Sequence, residues 1–368
     1  MRILVASDKF KGSLTATGAG AKIAEGIREG MPEAEITVLP VADGGEGTAE
    51  VFCRARRGVW ARCDVKDANG ARVSARYCIT TVPFCAVVET SDALGLWRIA
   101  PDERDPDAAS SFGVGEMLLD AAGRGVRQII VGLGGSATND GGVGMARALG
   151  FRFLDSRGSE LSGRVSELLR VINIEVPSGL SLPPIIAASD VGNPLLGPRG
   201  ATHLFSRQKG AHGEQREVLE SALARLADVV ATELGVDLRK EPGGGAAGGL
   251  GFGLVSFCGA TIRSGFDVVA EAVGLASAIK GADIVVTGEG RLDSQTQEGK
   301  APAGVARLAR AAGKRVYALV GSATAGEDMF DAVLTLMRPG ITSVDAMSRA
   351  GELLRERAKE LTSLLRRS

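Results

Sequence analysis

Histidine is nearly absent: His203 and His212 are the only two in 368 residues. A three-histidine zinc site is therefore excluded, and a Ser-His-Asp relay would have to use one of these two. Aromatic residues make up only 4% of the chain, too few for a base-stacking surface. Neither sign of charge prevails. The 43 Lys and Arg face 44 Asp and Glu, a formal net charge of −1, which gives no bulk attraction to nucleic acid or to an anionic membrane. No apolar run reaches the roughly 18 residues that a spanning helix requires. The five cysteines (Cys53, Cys63, Cys78, Cys85 and Cys258) are odd in number and lack CxxC spacing. They read as reduced thiols of a cytoplasmic protein. The opening MRILVA reads as a first strand and not as a secretion leader. Also missing are the Walker GxxxxGK[ST] loop, the protein-kinase HRD and DFG motifs, and a GxGxxG after the first strand. The last absence weighs against a nicotinamide dehydrogenase.

Glycine is abundant, with 51 residues, about twice the usual share of roughly 7%. It clusters at a few places, as expected where backbone approaches a ligand closely. Length allows two or three domains, and 45% hydrophobic with 24% charged residues is ordinary for a globular chain. Apolar runs at 2–6, 35–39, 127–132, 184–188, 282–287 and 315–321 read as buried strands. Between them lie helical stripes such as Ala16-Ala19-Ile23-Ile27, with Ser13 as its cap, and Leu219-Leu223-Leu226-Val230, ended by Gly235. This alternation predicts an α/β fold with a parallel sheet. Residues 60–110, including strands at 72–80 and 84–89, alternate more like antiparallel sheet, which suggests a second domain inserted into a doubly wound one.

In open α/β sheets ligands bind beyond the carboxyl ends of the strands, and here those ends carry the unusual chemistry. After strand 2–6 comes SDKFKGSL, whose Lys9, Lys11 and Ser13 precede a helix and suit an anion. After 35–39 comes VADGGEGT, with Asp43 and Glu46 as hard oxygen ligands. After 127–132 comes GLGGSATNDGG. Its Gly134 and Gly135 offer backbone N–H groups, Ser136, Thr138 and Asn139 add side-chain donors, and Asp140 suits a helix cap or a metal. After 184–188 comes SDVGNPLLGPRGA, with Asp190 placed for a catalytic carboxylate. After 282–287, Glu289, Arg291, Asp293, Gln295, Thr296 and Lys300 crowd what reads as one strand-to-helix turn. The cluster GGGAAGGLGFGL at 243–254 either closes over a ligand or lets helices pack closely. The common theme is phosphate, and phosphoryl transfer needs positioning, charge neutralisation and a base.

Eight segments in order resemble the bacterial class I glycerate kinase family: SDKFKGSL, PVADGGEGT, ETSDALGL, GGSATNDGG, SDVGNPLLGPRGA, FSRQKGA, GAAGGLG and TGEGRLDSQT. The resemblance covers essentially the whole chain, and Ser189 replaces the family's usual cysteine. It implies ATP- and Mg²⁺-dependent phosphorylation of D-glycerate to 2-phospho-D-glycerate in the cytoplasm. It also implies two α/β domains with the active site between them. One is a Rossmann/flavodoxin-like parallel sheet built from both chain ends (1–60 plus 265–368), and the other is a mixed α/β domain inserted at 61–264. Asp190 is the expected base, with Asp293 second, and Lys9 completes the catalytic set. Asp43, Glu289 and Asp293 are the expected magnesium ligands, of which one or two suffice. Lys11, Ser13, Gly134, Gly135, Ser136, Asn139, Asp140, Arg291 and Lys300 are expected at phosphate or glycerate, with Lys209 a further anion contact. No nucleic acid or membrane partner is expected, and a homodimer is compatible with the sequence. The competing readings are a kinase of the same scaffold acting on another small hydroxy acid, and a non-catalytic sugar-acid sensor.

Overall fold

The computed structural model describes residues 1–294 and 299–366. Its strands, in chain order, are β1 (Arg2–Ser7), β2 (Glu35–Val38), β3 (Val59–Lys66), β4 (Arg72–Thr81), β5 (Phe84–Glu89), β6 (Gln128–Gly132), β7 (Arg152–Leu154), β8 (Asn173–Glu175), β9 (Ile185–Ala188), β10 (Thr261–Arg263), β11 (Ile284–Leu292), β12 (Arg315–Ala323) and β13 (Ala332–Thr335). The chain divides into a terminal unit, Met1–Ala55 with Ser264–Ser368, and a middle unit, Arg56–Arg263. The α/β class read from the sequence holds: a five-stranded sheet is wholly parallel, a six-stranded sheet is mixed, and β7 and β8 form a small antiparallel pair.

In the terminal unit the order β13-β12-β11-β1-β2 is all parallel. Renumbered within the unit this is the doubly wound order 2-1-3-4-5, whose switch point lies between β1 and β11. The apolar runs are unbroken because both faces are covered. Ile3, Val5, Ile284, Val286, Tyr317 and Leu319 pack on one side against Ile23, Ile27, Leu354 and Leu361 of helices Ala16–Gly30 and Ala350–Leu365. Leu4, Ala6, Val285, Val316 and Val320 pack on the other side with Phe266, Val305 and Ala309. Such burial stabilises by about 25 cal/mol per Å² of apolar surface.

The first helix is capped by Thr15, whose side chain accepts from the Gly18 N–H, and not by Ser13. Ser13 instead donates its hydroxyl to the Phe10 carbonyl. It belongs to a tight hairpin in which Phe10 and Leu14 pair, so the helix starts two residues later than the sequence suggested. The run at 282–287 also continues further, to Leu292, because β12 pairs with it as far as Ala323. Glu289 and Arg291 are consequently strand residues and not turn residues.

In the middle unit the sheet order is β10-β9-β6-β5-β4-β3, parallel from β10 to β5 and antiparallel at β4 and β3. The antiparallel alternation expected over 60–110 is thus the edge of this sheet. The short strands β7, β8, β10 and β13 carry too few residues for a readable period. All five cysteines are free. Among the described residues no helix is long and apolar enough to cross a membrane.

The two long helices of the terminal unit approach closely at Gly26, where an added Cβ would lie 2.0 Å from the Arg355 carbonyl oxygen. At Gly18, on the same helix, the nearest atom would be 3.5 Å away. Alanine normally improves a helix by about 1 kcal/mol over glycine. Gly18→Ala is therefore expected to be neutral or stabilising, whereas Gly26→Ala should destabilise by about 1–3 kcal/mol through overpacking. Urea unfolding of the two variants checks the sign; equal stabilisation would refute the close approach.

Candidate active site

Five strands of the terminal unit end in one place. The carboxyl ends of β11 and β12 and the residues that follow β1, β2, β11 and β13 line a cavity of about 520 Å³. Eight of the residues picked out from the sequence line it: Lys9, Lys11, Ser13, Asp43, Glu289, Arg291, Asp293 and Lys300. These eight, separated by nearly 300 positions in the chain, come together because β1 and β11 are neighbours at the switch point. Gln295 and Thr296 lie outside the described residues.

The charges are balanced across this wall. Lys9 Nζ lies 3.6 Å from Asp43, and both Lys300 Nζ and Arg291 Nε lie 3.6 Å from Asp293. At Asp43 burial opposes ionisation, but Lys9, the Gly45 N–H and Lys300 outweigh it and hold the carboxyl below its ordinary value. Glu289 is buried on β11 between Gly288 and Gly290. Arg291 and Lys11 are exposed. Lys300 stands at the N-cap position of the helix Ala301–Ala311.

One charged lining residue was not singled out from the sequence. Asp8 follows β1 directly, is 5% exposed, and its carboxylate accepts from the Lys9 N–H at 2.6 Å. Burial is the main reason its pKa is pushed up to about 7; Asp43 adds to the shift, while Lys9 opposes it. The available signal was its position at the carboxyl end of the first strand.

Magnesium was expected at Asp43, Glu289 and Asp293. Among the described residues no three histidine, cysteine or carboxylate side chains form a ready metal cage. The three carboxylates nonetheless line one cavity together with lysines. That donor set fits an ion held by one or two carboxylates and completed by water and phosphate oxygens, the usual habit of Mg²⁺.

The middle unit holds a second set of polar loops, after β6 and β9. Asp140 is buried, and its carboxylate accepts from the Ser111 N–H and hydroxyl, both at 2.8 Å, from the Gly144 N–H at 3.0 Å and from the Gly142 N–H at 3.1 Å. It is a node that fixes the loop's shape. Lys209 is also buried and donates to the Thr138 carbonyl at 2.6 Å. Burial brings its pKa down to about 8, partly opposed by Asp140. Lys209 was expected as an anion contact; it is placed as a strut beneath the loop. Gly134 and Gly135 form the loop's crest, half-buried and exposed respectively, and Gly135 has φ +65. The glycine cluster at 243–254 packs against this loop. At Gly248, where φ is +72, a Cβ would meet the Thr138 carbonyl oxygen at 1.9 Å. Close packing is thus the reading the structure selects for that cluster.

Around this packed loop several buried polar atoms have no hydrogen-bond partner among the described residues. They include Ser136 Oγ, Thr138 Oγ1, Asn139 Oδ1 and both amide atoms of Asn193. Asn139 spends only its amide, on Thr202. Buried polar atoms without partners are costly and normally find a ligand or water. Asp190 is half-buried in the loop after β9, following Ser189, whose N–H donates to Arg263.

Residues 3–366 match the model of the glycerate kinase family. A glycerate kinase of Halalkalibacterium halodurans is 39% identical over 97% of this chain and 96% of its own length. A glycerate 2-kinase of Escherichia coli K12 is 40% identical over 88% of this chain and 86% of its own. The crystal structure of a protein assigned as glycerate kinase 2 from Salmonella typhimurium LT2 superposes with a TM-score of 0.86. It is 42% identical, and the match covers 100% of this chain and 98% of that one.

The raised pKa of Asp8 has a consequence for stability. Its folded-state value lies above the unfolded one, so the ionised carboxyl costs the fold stability above about pH 7, and the cost fades as pH falls toward about 4. Asp8→Asn keeps an oxygen to accept from Lys9. Without nucleotide or Mg²⁺, it should melt a few degrees higher than the parent at about pH 8 and no higher at about pH 4. A pH series of thermal melts checks this; a gain independent of pH would refute the burial argument.

Proposed function

The chain belongs to the glycerate kinase family, and from that premise we propose that it transfers the γ-phosphoryl group of ATP to the 2-hydroxyl of D-glycerate, with Mg²⁺, in the cytoplasm. The products are 2-phospho-D-glycerate, ADP and a proton. The observation that carries this reading is the terminal-unit cavity, where four cations and four carboxyl groups share one wall. Phosphoryl transfer is served by such a wall because it is mainly a matter of positioning and of neutralising charge on the phosphate oxygens.

The hydroxyl oxygen of glycerate forms the new bond to phosphorus as the bond to the ADP oxygen breaks. Asp190 accepts the hydroxyl proton, which moves onto its carboxylate, and Asp293 is second choice for that role. Lys9, Lys11, Arg291 and Lys300 hold phosphate oxygens and the glycerate carboxylate. Arg291 alone can grip a carboxylate through two parallel bonds. One or two of Asp43, Glu289 and Asp293 hold Mg²⁺, which when bound offsets the charge of the phosphate oxygens. Ser13, the Gly134 and Gly135 backbone, Ser136 and Asn139 meet the remaining substrate oxygens, and Asp140 keeps their loop in shape.

Phosphorus NMR of the protein with MgATP and D-glycerate tests the reaction. A new phosphomonoester should appear alongside ADP as a doublet, because the 2-position carries a single hydrogen. A triplet would assign the product to the 3-hydroxyl, and unchanged ATP would remove glycerate as the acceptor. Asp190→Asn should lower kcat by about 10²–10⁴ with its melting temperature retained. A folded and fully active variant would strip Asp190 of the role.

A further inference from the structure

The cavity of the terminal unit has a feature that glycerate does not explain. On the β12–β13 side its lining loses its charges, and beside Ser322 and Ser343 stand the apolar Leu336, Met337, Ala346 and Met347. Leu336 is fully buried, whereas Met337 and Met347 line the cavity yet are 39% and 54% exposed. Their position is set by the backbone. The Leu336 and Met337 N–H groups continue the ladder to Val320 and Gly321, so both residues stand at the carboxyl edge of the sheet. Met347 follows on the short helix Ser343–Ser348, which is opened by a capping box at Thr342 and Asp345.

Glycerate is a three-carbon acid with polar groups on every carbon, and it has no apolar surface to lay on thioethers. The cavity volume, about 520 Å³, falls in the range of roughly 300–1,000 Å³ that encloses a drug-sized ligand. Neighbouring strands lie about 4.8 Å apart, so the five strand ends from β2 to β13 make a row roughly 19 Å long. Asp43 stands after one end strand and Met337 after the other. A molecule that is flat and apolar at one end and polyanionic at the other matches this row. Methionine is well suited to the flat end, since its polarizable thioether packs favourably on aromatic rings.

We propose that this cavity is the nucleotide site, with the adenine ring against the Met337 and Met347 wall and the polyphosphate directed toward Lys9 and Lys300. The assignment rests on the kinase reading above and adds to it the part of the chain that takes ATP. It makes Met337 and Met347 base-packing residues, without a share in holding phosphate.

Calorimetric titration of the full chain with MgADP, magnesium tripolyphosphate and D-glycerate tests this. The double variant Met337→Ala/Met347→Ala should weaken MgADP about tenfold or more, the loss expected when two apolar contacts to a ring are removed. Tripolyphosphate and D-glycerate should bind as they do to the parent, which a general collapse of the cavity would not allow. Should the double variant melt early, Met347→Gln, at an exposed position, gives the same comparison with a smaller loss. MgADP binding that ignores the methionines in a folded variant overturns the proposal, as does a loss confined to D-glycerate. A folded parent that binds no MgADP at all overturns the kinase reading instead.

Discussion

Burial of the terminal sheet on both faces is the constraint from which the rest follows. Helices cover Ile3 and Val5 on one side and Leu4 and Ala6 on the other, so no polar side chain can stand mid-strand without losing its water. The cavity's charged groups are confined to the carboxyl edge, where the chain leaves the sheet. Glu289 and Arg291 are the near exceptions: they sit on β11 itself, where the strand passes from core to cavity. The same confinement explains why residues distant in sequence share one wall. Each loop has a single direction in which to deliver its charged groups.

A different device shapes the middle unit's loop. There the carboxylate of Asp140 gathers donors from Ser111, Gly142 and Gly144, and the ammonium of Lys209 holds the Thr138 carbonyl from below. Both charged groups are spent on backbone and neighbouring hydroxyl, and the atoms left over are neutral ones such as Ser136 Oγ and Asn139 Oδ1. A loop fixed in this way presents hydrogen bonds without having to rearrange when a ligand arrives, which reduces the entropy cost of binding.

Much of this was legible in the sequence because buried parallel strands write themselves as unbroken apolar runs, and β1, β6, β9, β11 and β12 did so. The loops after them stood out by residue type alone, and eight of the cavity's residues were found that way. What stayed hidden depends on partners remote in the chain. Asp8 looks like one more acidic loop residue until burial reveals it. Whether Asp140 faces a ligand or its own scaffold is decided by Ser111, 29 positions earlier. Ser13 is a chemically good cap, yet the hairpin that pairs Phe10 with Leu14 hands that place to Thr15. Met337 and Met347 form part of a wall only beside loops of the other chain end, so no local pattern marks them.

The terminal unit is made from both ends of the chain, and β1 pairs with β11 across 281 positions. On the ribosome this imposes a schedule. At about 5–20 residues per second, tens of seconds separate the emergence of β1 from that of its central partner. During that interval the middle unit's contiguous segment is complete and able to fold, while the apolar strand RILVAS has only β2 and the helix Ala16–Gly30 beside it, with one edge open and the Leu4 and Ala6 face without its later helices. The sheet whose edge lines the cavity is therefore the last part of the molecule to close, and its first strand is the stretch of the nascent chain longest in need of protection.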